Sequence, residues 1–210
     1  MARKVTRIKV AKTASKAPKS KATPKRTKSL VGQSKKTNIP FLDPKTIIIS
    51  LSGPLSSGCS TIAEHLASLT KDKFVLCRLS DIIRKELKKD GNKNPSPEDL
   101  QDKGNELRES KGKQVLVERC LKKCMRMKER PERIVIDGIR NHGEVTYLRS
   151  FSKFFLVATD ASRTERLKRF RNKTAQQISD IKFNNIDERD SGIDEPEYGQ
   201  KVTDCVDLAD

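Results

Sequence analysis

Residues Ser52–Thr61 read SGPLSSGCST, and the fold turns on how this stretch is interpreted. Gly53 and Gly58 bracket four residues, and Ser60 falls where the phosphate-binding pattern G-x-x-x-x-G-K-[ST] has its hydroxyl. The lysine of that pattern is replaced by Cys59. Just upstream, TIIISLS (46–52) is a continuous run rich in β-branched residues, the signature of a strand buried on both faces. Downstream, Ile62, Leu66 and Leu69 recur at helical spacing. A glycine-rich turn between a buried strand and a helix can close its backbone N–H groups around phosphate oxygens, and the helix N-terminus adds partial positive charge. The stretch therefore predicts a phosphate site made by Gly53, Pro54, Ser57, Gly58, Cys59, Ser60 and Thr61. Ser60 is also placed to hold Mg²⁺. A cysteine is short and mostly neutral near pH 7, so it cannot do what the lysine does for the outer phosphates.

The rest of the chain repeats the same alternation. KFVLCRLS (73–80), ERIVIDGI (132–139) and KFFLVATD (153–160) are further apolar strands. Between them lie the helical segments DIIRKELKK, LQDKGNELRES, QVLVERCLKKCMRMKE and GEVTYLRS, and a charged helix is predicted from SRTERLKRFRN to about Asp187. Ser96-Pro97-Glu98-Asp99 reads as a helix start. Strands alternating with helices imply an α/β fold with a parallel sheet covered on both faces.

Charge divides the chain in two. Residues 1–40 carry 13 of the 45 Lys and Arg and no Asp or Glu, so they supply most of the net +17. Such a segment has too little apolar surface to offset its chain entropy, and residues 1–44 are expected to be a disordered basic tail. Its lysines suit a salt-sensitive, sequence-independent contact with nucleic acid, or simply a solubilising tail. The expected folded domain is 45–210. No apolar run is long enough for a membrane span. Five cysteines with no C-x-x-C, and two histidines outside any ligand spacing, point to a reducing, intracellular setting without structural zinc. Cys120 and Cys124, one helical turn apart, read as small buried residues. Nothing in the sequence indicates an oligomeric state.

The remaining candidates follow from position. Asp137, in VIDGIR, ends a buried strand on the ligand side of such a sheet, where it can order Mg²⁺ or its waters, and Arg140 can fork onto a phosphate. Asp81 and Arg84 follow the second strand, and Arg108 lies in GNELR; these three and Arg140 are the candidate acceptor contacts. Arg163 and Arg189 are the choices from the charged region for arginines that close over a transferring phosphate.

Taken in order, GPLSSGCST, RLSDIIRKEL, LQDKGNELR, IVIDGIRN and LVATDASRTERLKR resemble the P-loop nucleoside and nucleotide kinases, most of all the dephospho-CoA kinase-like and adenylate kinase-like branch. The resemblance spans about residues 45–210. It implies a five-stranded parallel sheet of order 2-3-1-4-5, ATP or another nucleotide with Mg²⁺ at the loop, and an acceptor site near Asp81, Arg108 and Arg140. A mobile lid would follow the fourth strand, and the fifth strand would lie beyond the chain end. Three functions stay open: transfer of phosphate to a nucleotide-type acceptor, nucleotide binding without chemistry in a regulatory domain, or association with nucleic acid through the basic tail. Of these, the first two concern the loop. The second is similar to the kinase-like domain that precedes some deoxycytidylate deaminase domains.

Overall fold

The computed structural model describes residues 42–68, 74–174 and 178–210. The basic tail, and with it any contact to nucleic acid, lies almost wholly outside them. Next to the expected boundary at residue 45, Leu42 packs against the main core, and Pro44 O accepts the Ser152 hydroxyl at 3.0 Å.

Four parallel strands, β1 (Ile47–Ser52), β2 (Phe74–Arg78), β3 (Arg133–Asp137) and β4 (Phe154–Ala158), form a sheet of order β2-β3-β1-β4. This is the expected order over the strands described. Pairing β1 centrally, with Ile49 opposite Val135 on one side and Phe155 on the other, brings the C-terminal ends of β1, β3 and β4 to one rim. Side chains alternate across the sheet, as the pleat requires. Ile48, Cys77, Ile134, Ile136 and Leu156 face one way, into the main core with α4 (Val115–Met125) and α5 (His142–Leu148). Leu51, Leu76 and Val135 face the other way, under α1 (Cys59–Ser68), which covers β2 and β3. Beyond that helix, Phe155 and Val157 of β4 stay half exposed.

Helix α2 (Leu79–Lys89) leads from β2 into α3 (Pro97–Lys111). The start of α3 is a capping box. Ser96 Oγ accepts Asp99 N–H at 3.1 Å, Asp99 Oδ2 accepts Ser96 N–H at 2.8 Å, and Pro97 follows where a missing N–H costs nothing.

The charged helix expected to run to Asp187 is two helices, α6 (Arg163–Thr174) and α7 (Asp180–Ser191). Ser179 is the reason a new helix begins: its side chain caps the N–H of Lys182 at 3.2 Å. The hairpin has a small core of its own, Leu167, Phe170, Ile178, Phe183 and Ile186, with Phe170 and Phe183 edge to face at 5.4 Å. A last helix, α8 (Val202–Asp207), had no counterpart in the sequence reading. No fifth strand is present among the described residues; Asp210 N–H donates to Leu156 O on the open edge of β4, and its carboxylate takes Leu156 N–H.

Candidate functional site

The glycine loop, Gly53–Gly58, leaves β1 at the rim and curls through two positive-φ residues, Ser56 (63°) and Gly58 (122°), into the N-terminus of α1. The first-turn N–H groups of a helix have no partner inside it, so those of α1 are available to an anion. Gly53 cannot be any other residue. A Cβ there would sit 2.3 Å from Thr159 O and 2.6 Å from Ser57 Oγ. All seven loop residues singled out from the sequence line one cleft of about 930 Å³.

Cys59 does not reach outward as a lysine would. Its Sγ lies 3.0 Å from Thr159 Oγ1, which is itself 2.6 Å from Ser57 Oγ. The thiol therefore ties the loop to the end of β4. Ser60 Oγ donates to Asp137 Oδ2 at 2.8 Å, so the hydroxyl and the carboxylate already converge. Two oxygens of this kind fit a hard cation such as Mg²⁺, which takes one or two carboxylates and leaves room for phosphate oxygens and water.

At the other end, Arg84, Arg108 and Arg140 line the cleft. Arg108 is 2% exposed, its Nε 3.0 Å from Oε1 of the fully buried Glu144. The second oxygen of Glu144 accepts the N–H of Arg140 at 2.9 Å, so one buried carboxylate positions both a side chain and the turn after β3. Arg140 pairs with Asp190 of α7. Burial in the cleft wall lowers its pKa, partly offset by Asp137, while Arg108 adds to the lowering. Two amides complete this wall. Gln101 donates Nε2 to Ile186 O at 3.0 Å, and the Oε1 atoms of both Gln101 and Gln200 are buried without a partner.

Three chosen residues lie outside the cleft wall. Asp81 is exposed and 3.7 Å from Arg84, a one-turn pair on the surface of α2. Arg163 donates to Asn184 Oδ1 at 3.1 Å and lies over the Phe183 ring. Arg189 bridges Asp102 (2.9 Å) and Glu195 (2.7 Å), which fixes α7 to its neighbours. The hairpin side chains that hydrogen-bond the loop are those of Arg166 and Arg169. Arg166 donates to Leu55 O at 3.2 Å and pairs with Asp187; Arg169 donates to Ser57 O at 3.0 Å. Lys173, one turn beyond Arg169, also lines the cleft. Their spacing along one helix face was a signal in the sequence, but spacing does not say which face meets the loop.

The family model described as AAA domain matches residues 49–191. A UPF0200 protein of Methanococcus maripaludis strain C6 is 28% identical over 163 residues, which is 78% of this chain and 84% of that protein. A UPF0200 protein of Methanothrix thermoacetophila is 35% identical over 123 residues, 58% of this chain and 63% of its own. Among solved structures, the crystal structure of TT1252 from Thermus thermophilus covers 67% of this chain and 76% of its own, at 15% identity and a TM-score of 0.42. With the matched family spanning the loop, nearly all of the sheet and the hairpin, the chain belongs to the AAA domain family.

Proposed function

We propose that the chain binds a nucleoside triphosphate at the glycine loop and transfers its terminal phosphoryl group to a nucleotide-type acceptor at the Arg84–Arg108–Arg140 end of the cleft. The observation that carries this reading is the single cleft joining the two ends, with Ser60 and Asp137 at one and the Glu144-anchored arginines at the other. The loop and α1 N–H groups bind the donor phosphates, and those groups do not depend on a lysine. Ser60 and Asp137 would hold Mg²⁺, which when bound neutralises charge on the phosphates. Arg169 meets the loop from the hairpin and Lys173 lines the same cleft, and both bring positive charge where Cys59 supplies none. Arg108 and Arg140 orient the acceptor's phosphate, and the unpartnered Gln101 and Gln200 oxygens favour an acceptor that also carries N–H donors, as a nucleobase does.

One observation favours a second reading. The Cys59–Thr159 contact fills the lysine's place with a structural bond, which suits a domain that holds a nucleotide and regulates an attached partner, a deoxycytidylate deaminase domain among the candidates. A thermal-shift panel of nucleoside mono-, di- and triphosphates, followed by a phosphoryl-transfer assay on wild type and Cys59→Lys, separates the two. Transfer by wild type supports the enzyme. Binding without transfer in wild type, with transfer gained by Cys59→Lys, would leave only the regulatory reading. No shift with any nucleotide would overturn both.

A further inference from the structure

Three of the five cysteines meet far from the loop. Cys77 comes from β2, and Cys120 and Cys124 come from one face of α4. Their Sγ atoms all lie within 4.8 Å of one another, with Cys77 and Cys124 3.3 Å apart. They are 4%, 0% and 1% exposed, inside the main core. Two of the thiols sit four residues apart on a helix, which alone is ordinary packing. The third comes from the sheet, on the opposite side of the core interface, and its sulfur points at the same spot.

The geometry points to Cys77, Cys120 and Cys124 as a three-sulfur site for a thiophilic d¹⁰ cation, Zn²⁺ or Cu⁺. Metal–sulfur bonds of about 2.3 Å place the corners of a trigonal site roughly 4 Å apart, inside the spread of these three sulfurs. Among the described residues the group contains no histidine or carboxylate, and an all-sulfur set excludes Mg²⁺ and Ca²⁺, which take oxygen. Each thiol that binds gives its proton to solvent, and no sulfur is oxidised. The site would pin the edge strand β2 to α4 just ahead of Leu79, where the cleft wall begins. It is independent of the nucleotide reading.

The test uses the full chain, stripped of metal under reductant and titrated separately with Zn²⁺ and with Cu⁺ against a chromophoric chelator. The expected result is one equivalent taken up with a thiolate-to-metal charge-transfer band and proton release. X-ray absorption of the loaded wild type should show three sulfurs, alone around Cu⁺ and joined by one light atom that completes the tetrahedron around Zn²⁺, which needs no variant to fold. Cys120→Ala should lower affinity at least tenfold, whereas Cys59→Ala and Cys205→Ala should leave it unchanged. The metal that survives competition identifies the resident cation. Absence of stoichiometric uptake, a coordination shell with fewer than three sulfurs, equal loss in Cys205→Ala, or a Cys77–Cys124 disulfide in place of metal binding would overturn the site.

Discussion

The sheet body and the α6–α7 hairpin grip the same loop by different means. The body holds it covalently through β1 and α1 and by the buried hydroxyl contacts of Thr159 and Ser57, all seated on a core in which Ile48, Leu116, Leu121, Ile134 and Leu156 are fully buried. The hairpin reaches it with two arginine side chains on carbonyl oxygens and with Leu55 against its small cluster. Arginine–carbonyl bonds at a cleft edge exchange readily with water or phosphate, whereas a packed core does not rearrange without losing several kcal/mol. The two walls of the loop thus differ in what holds them, a packed core on one side and side-chain hydrogen bonds on the other.

This contrast can be broken by mutation. The largest effect is expected in the body from Glu144→Ala, which leaves the Arg108 guanidinium buried without its partner. Global stability should fall by about 3–5 kcal/mol in chemical denaturation. Next come two truncations of similar intrinsic cost, Leu121→Ala in the main core and Phe183→Ala in the hairpin, each about 2–5 kcal/mol. Leu121→Ala should lower the midpoint of global unfolding. Phe183→Ala should leave that midpoint nearly unchanged and instead speed proteolysis within residues 160–190. Equal shifts of the global midpoint would mean that body and hairpin unfold as one unit.

Smaller effects sharpen the comparison. Arg169→Ala should weaken triphosphate binding about tenfold, roughly 1.4 kcal/mol, with little change in melting temperature. Ser96→Ala removes a cap from α3 and should cost about 1 kcal/mol. The reciprocal half of that cap is pH-dependent. The backbone N–H of Ser96, with the Ser96 and Asn92 side chains, holds the Asp99 carboxyl below its ordinary value. A depressed carboxylate stabilises the fold above its unfolded pKa of about 3.9, and that contribution is lost as pH falls through the lower folded value. Melting curves of wild type and Asp99→Asn should therefore differ near neutral pH and converge in acid.

Much of this was legible in the sequence because it is local. Buried strands announce themselves as β-branched runs, the glycines mark the loop, and Ser96 with Asp99 marks a helix start. The sheet order came from the resemblance to the P-loop kinases. What was missed depends on convergence in space. The cysteine group joins a strand to a distant helix, and no spacing encodes that. Charge alone points to Arg163 and Arg189; the structure pairs the first with Asn184 and the second with Asp102 and Glu195, and Arg169 donates to the loop. The break between α6 and α7 turned on one capping residue, Ser179, in a stretch otherwise uniform in charge.

The central claim is that the loop still holds phosphate by its backbone although Cys59 stands in the lysine's place. Calorimetric titration of Mg²⁺–nucleoside triphosphates into wild type, Gly53→Ala and Cys59→Ala tests it most directly. The account predicts one site in wild type, retained within a few-fold in Cys59→Ala and lost in Gly53→Ala, whose Cβ would meet Thr159 O at 2.3 Å. No binding by wild type, or binding that Gly53→Ala leaves intact, would contradict it.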